Sequence, residues 1–178
     1  MQKFDLYQLP EQVIGISKAV GNFLGEAAQI CLELNGHTSG VQVNLSGLYE
    51  ESITLEWDKV LEEDTLMAWK DVKEATEYGA TAISLLLILY FGEYQFAERL
   101  PQIAVGDYFL KKSALEHKNN GNEAFLEISG IYQESTSNTL NVRISQKRKQ
   151  LQNKPTDNKN VLISVVEFAT PKAKIVKL

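Results

Sequence analysis

Cysteine and histidine are nearly missing from the 178 residues, at one Cys and two His. Zinc held by thiolates or imidazoles needs three or four such ligands, so that chemistry is excluded and any metal here must be bound through oxygen. Cys31 alone can close no internal disulfide. The opening residues, Met1-Gln2-Lys3-Phe4-Asp5, also lack the basic-then-apolar stretch of a secretory signal, and both features point to a reducing, cytoplasmic setting. Long apolar runs are absent too. The strongest, Ala80 to Phe91, spans twelve residues and is broken by Thr81 and Ser84, whereas a bilayer crossing takes about twenty. No membrane span is expected, and no repeat or low-complexity tract is visible.

What remains is the composition of a globular chain. With 44% apolar residues there is material for one sizeable core, in one domain or one domain with an appendage. Charge is unevenly spread. Residues 1–93 carry 5 basic and 15 acidic side chains, residues 94–178 carry 13 basic and 8 acidic, and the whole chain has a net charge of −5. An acidic front half argues against indiscriminate binding to nucleic acid, while a basic back half leaves room for a local phosphate-contacting face.

After Pro10, apolar residues from Val13 to Leu34 recur at three- and four-residue steps. They predict an amphipathic helix ended by Asn35-Gly36. Gly15, Gly21 and Gly25 within it weaken helix propensity by about 1 kcal/mol each relative to Ala and point to close backbone contact. Val41, Val43 and Leu45, then Ile53, Leu55 and Trp57, alternate with polar residues across Ser46-Gly47, the pattern of a β-hairpin. A second helix is expected over about residues 66–92, apolar nearly all round in its second half and therefore buried. Strands follow at Tyr94 to Arg99, Asp107 to Lys111 and Ala124 to Ile131, then a helix from Asn138 to Gln152 and an apolar strand from Val161 to Phe168. The expected domains are an N-terminal extension of helix and hairpin, 1–65, and a core, 66–178. The small residues of the first helix make a homodimer an expectation.

Three carboxylates fall where this order would gather them. Glu127 sits mid-strand, sharing a face with Phe125 and Ser129. It reads either as a wet face on an edge strand or as a charge that needs a partner or a metal, since an unpaired buried carboxylate costs several kcal/mol. Asp107 opens its strand after Gly106, a position also suited to a turn. Glu77 lies where the second helix passes from polar to apolar. His37 and His117 fall in polar loops and are expected to face solvent. Cys31 lies on the apolar helix stripe, and Trp57 and Trp69 read as packing anchors.

A helix bearing Glu77, then Gly106-Asp107-Tyr108, then Leu126-Glu127-Ile128-Ser129-Gly130, then a helix with Arg143, Lys147 and Gln150, resembles the PD-(D/E)XK nuclease superfamily. The likeness covers residues 66–168 or so. It implies an α/β fold with a restriction endonuclease-like αβββαβ core and a mixed central sheet. It also implies Mg²⁺ or Mn²⁺ held by Asp107, Glu127 and Glu77, and hydrolysis of DNA or RNA. The family's Lys, two residues after the second acidic ligand, is replaced by Ser129, and a hydroxyl has neither its charge nor its reach. Lys147 on the following helix is the candidate to replace it. With Arg143 at 0° on a helical wheel, Lys147 falls at about 40° and Gln150 at about −20°, against about 100° for Ile144. Lys147 therefore borders the buried stripe, and Arg143 with Gln150 would contact the phosphate. The competing expectation is a catalytically inactive αβββαβ scaffold, used for protein interaction or oligomerisation.

Overall fold

The computed structural model describes residues 2–92, 94–112, 123–152, 154 and 159–178. The chain runs β1 (Gln2–Asp5), α1 (Leu9–Gln12), α2 (Lys18–Leu34), β2 (Val41–Gly47), β3 (Ser52–Glu56), α3 (Glu63–Ala68) and α4 (Val72–Gly92). It continues with β4 (Phe96–Arg99), β5 (Tyr108–Lys111), β6 (Glu123–Ile131), α5 (Leu140–Leu151), β7 (Asn160–Glu167) and β8 (Lys172–Lys177). All eight strands form one mixed sheet in the order β1-β3-β2-β8-β7-β6-β5-β4. The fold is therefore mixed α/β.

The apolar periodicities decide which face each residue takes. On β7, Leu162 and Val166 join the core under α2 and α4, while Val161, Ile163 and Val165 join a second cluster with Leu140, Ile144 and Leu151 of α5. A strand buried on both faces is why Val161 to Phe168 reads as an unbroken apolar run. Where the two serines of α4 and β7 meet inside the core, Ser84 and Ser164 share a hydrogen bond of 2.7 Å, so neither hydroxyl is left unsatisfied.

Residues 1–65 and 66–178 share this sheet and core. β2 pairs in parallel with β8, and α2 lies along α4 so closely that a Cβ on Gly79 would come 2.9 Å from the Cα of Ala28. Helix α4 is long and apolar enough, by length and composition alone, to cross a membrane, but 72% of that window is buried inside the protein. It is a core helix, apolar all round because the sheet and α2 cover it.

Several expectations are corrected. The first helix starts at Lys18, capped by the Ser17 hydroxyl accepting from the Val20 N–H. Gly15 lies outside the helix at φ +108°, against the Ala97 carbonyl, where a Cβ would approach to 2.2 Å. Its neighbour Ile14 bridges to Phe96, so this segment runs along the β4 margin of the sheet while β1 forms the opposite margin. The second helix is two, α3 and α4, and α3 buries none of its residues. Strands β1 and β8 and the single turn α1 had no counterpart in the sequence pattern.

Candidate active site

Beyond the pair Tyr108↔Leu126, β5 ends while β6 continues to Ile131, leaving a notch between α4 and α5. Gly106 makes the notch possible. At φ +79° it brings the chain so close to β6 that a Cβ would stand 2.8 Å from the Leu126 carbonyl oxygen. Asp107 then extends the ladder with both backbone and side chain. Its N–H donates to the Leu126 carbonyl at 2.7 Å, and its Oδ2 accepts from the Ile128 N–H at 2.8 Å. One carboxylate oxygen is engaged with backbone and the other remains available.

The notch holds a cleft of about 400 Å³. Glu77, Tyr78 and Thr81 line it from α4, Arg99 and Asp107 from the β4–β5 end, and Ile128 and Ser129 from β6. Arg143 and Lys147 line it from α5. Glu127 lies next to this lining on β6. Asp107 bonds the backbone on both sides of Glu127, at Leu126 and at Ile128. The Lys147 ammonium donates to Glu127 Oε1 at 2.5 Å, with the two side chains 21% and 12% exposed, so this charge pair is largely shielded from water. A charge on the sheet face is accounted for by a counter-charge from the helix above it.

Arg143 is fixed from two sides. Its Nη1 donates to the Ser129 hydroxyl at 2.9 Å, and its Nε and Nη2 both donate to Asn138 Oδ1, at 3.2 and 2.8 Å. Ser129 thus orients a guanidinium. Arg99 donates to the Tyr108 hydroxyl at 3.3 Å. Burial works against the Arg99 cation, but that hydrogen bond and the nearby Asp107 more than offset it and raise its pKa. Burial is also the main reason the Tyr108 phenol is pushed up, despite Arg99 beside it.

Of the residues singled out by sequence, Glu77, Asp107, Arg143 and Lys147 meet at the cleft, and Glu127 joins them through Lys147. Gln150 does not: it is exposed and outside the lining. Helix α5 leans mainly on β7 and less on β6, so its −20° flank turns to solvent near the C-terminal end. Among the described residues no group of three or more His, Cys, Asp or Glu side chains is arranged to cage a metal. Any cation would therefore rest on one or two carboxylates completed by water and phosphate, the usual arrangement for Mg²⁺.

Arg99, Asn138 and Tyr78 were missed. Arg99 follows buried Ala97 on the same face of β4 but is itself exposed at the strand's end, so nothing in the pattern marked it. His37 is not solvent-facing alone: its Nε2 lies 3.1 Å from the carbonyl oxygens of both Phe168 and Ala169. His117 falls outside the described residues. Trp57 and Trp69 are buried, their indole N–H groups donating to Glu33 and Glu26. Tyr94 and Tyr108 are buried, and Tyr90 is half exposed with its ring edge-on to Phe4. No protein-family model, no curated protein and no solved structure matches the chain.

Proposed function

We propose that the cleft hydrolyses phosphodiester bonds of nucleic acid with the help of Mg²⁺ or Mn²⁺, in the manner of the PD-(D/E)XK nucleases. The observation that carries this is the reach of Lys147 from α5 onto Glu127, beside Asp107, where it supplies the ammonium that Ser129 cannot. The succession α4, β4, β5, β6, α5, β7, with β5 antiparallel to both neighbours and β6 parallel to β7, supports a restriction endonuclease-like description of the core.

The donors suit a hard cation. Asp107 keeps one free oxygen, Glu127 keeps Oε2, and Glu77 lines the same cleft. What a divalent ion would supply when bound there is neutralisation of the phosphate charge and a bound water more acidic than bulk water. Lys147 orients the attacking oxygen and stabilises its negative charge, while Glu127 keeps the ammonium in place. Arg143, with three of its five N–H donors held by Asn138 and Ser129, offers the rest to the phosphate.

The inactive scaffold is the second reading. It is favoured by the Glu127 carboxylate already having a full counter-charge and by the lack of a three-acid cluster among the described residues. Cleavage of plasmid and single-stranded substrates with Mg²⁺ or Mn²⁺ separates the two. The wild type should cut, and Lys147→Ala should lose roughly a hundredfold or more in rate. Gln150→Ala should not change it. Asp107→Asn keeps an oxygen for the Ile128 N–H and so stays folded, but should bind the ion more weakly by calorimetry. Equal binding by both proteins, or none by either, refutes the metal site.

A further inference from the structure

Beside the cleft lies a second cavity of about 360 Å³, and the two share Glu77, Ser129 and Arg143. Arg143 stands at their junction, held in one pose by Ser129 and Asn138. Gly130 also lines the second cavity, where a Cβ would come 2.3 Å from the Thr76 carbonyl oxygen, so α4 and β6 meet there backbone to backbone. Lys73 and the half-buried ring of Tyr132 complete the lining that matters here. Lys73 is exposed, and among the described residues no carboxylate pairs with its ammonium. An ammonium outside any ion pair, a fixed guanidinium and an aromatic ring around two joined cavities match a strand that carries a phosphate at each step and a base between.

We infer that the second cavity seats the nucleotide adjoining the scissile phosphate. Lys73 binds the neighbouring phosphodiester, Tyr132 stacks on the base, and Arg143 lies between the two phosphates. The inference rests on the cleft being a nucleic-acid site. The ligand is single-stranded, because cavities of this size each take one small-molecule-sized unit and a base reaches Tyr132 only when it is free of its complement.

The test is fluorescence anisotropy of a labelled oligothymidylate in EDTA, which stops turnover, over a series of salt concentrations. Lys73→Ala should weaken binding and reduce the slope of log affinity against log salt by about 0.7, the value for one phosphate contact on a single strand. Tyr132→Leu should weaken binding roughly tenfold and leave the slope unchanged. Lys70→Ala, an exposed neighbour outside both cavities, should match the wild type. If Lys73→Ala and Tyr132→Leu both bind as the wild type does, the inference falls and Lys147-dependent cleavage stands untouched. Binding that needs Lys73 and Tyr132 in a protein that cuts nothing upholds it and removes the hydrolase. A folded wild type that binds no oligonucleotide overturns the inference, and the cleavage assay alone then decides the hydrolase.

Discussion

Replacing Lys147 by Met withdraws the ammonium from Glu127 while keeping an apolar stem of similar length. Only 12% of the Glu127 side chain is exposed, so the carboxylate left behind is poorly hydrated. Exposed pairs contribute about 0.2–1 kcal/mol, and leaving one member of a fully buried pair costs about 3–5 kcal/mol. This pair lies between, at about 2 kcal/mol, or about 4–8 °C in melting temperature for a chain of this size. Urea unfolding of Lys147→Met, Glu127→Gln and the double variant measures the coupling directly. The double variant should recover most of the loss, because no orphaned charge remains. With the ammonium gone, a divalent ion becomes the available counter-charge, so millimolar Mg²⁺ should stabilise Lys147→Met more than the wild type. A coupling below about 0.3 kcal/mol would show the pair behaving as a solvated surface contact. A Lys147→Met midpoint indifferent to Mg²⁺ would mean that Asp107 and Glu127 do not form a cation site.

Gly130→Ala should cost about 1–3 kcal/mol or more, since the added carbon meets the Thr76 backbone rather than a flexible side chain, and calorimetry would show it as a lowered melting temperature. Cys31 is fully buried and burial pushes its thiol up to about 12, so the folded protein should resist iodoacetamide at pH 8 and react only in urea; labelling at the rate of a free thiol would refute this. Glu134 accepts from the Lys172 ammonium and from the Leu140 N–H at the start of α5, and the Lys172 bond holds its carboxyl below the ordinary value of 4.5. A lowered folded-state pKa gives stability that is present above the unfolded value and lost as pH falls through the folded one. The Glu134 and Lys172 side chains are 25% and 31% exposed, enough for water to screen the pair, so the difference between wild type and Glu134→Gln should be about 0.2–1 kcal/mol near neutrality and vanish in acid.

Elements with a strong period were legible: α2 from its apolar stripe, the β2–β3 hairpin from alternation, α4 from its all-round apolarity. Strand β8 was not, although Ala173 and Ile175 alternate with lysines, because so short a strand becomes one only by pairing with both β2 and β7. β1 owes its state to β3 in the same way. At the site, a helical wheel sufficed to place Lys147 beside the sheet, yet it could not distinguish Arg143 from Gln150, which lie on nearly the same flank. That distinction depends on how α5 tilts across β6 and β7, a tertiary quantity. The second duty of Ser129 was hidden for a similar reason, since its partner Arg143 lies fourteen positions on.

The N-terminal segment that lies on both margins of the sheet carries a geometric consequence. Seven inter-strand steps of about 4.8 Å would set the margins of a flat eight-stranded sheet about 34 Å apart. Between Asp5 on β1 and Ile14 beside Phe96 the chain includes the helical turn α1 and can reach about 26 Å at full stretch. The sheet must therefore roll, and these few residues act as a cord across the open side of the roll. A single cut in the cord would release both rims at once, coupling the two ends of the molecule in any partial opening.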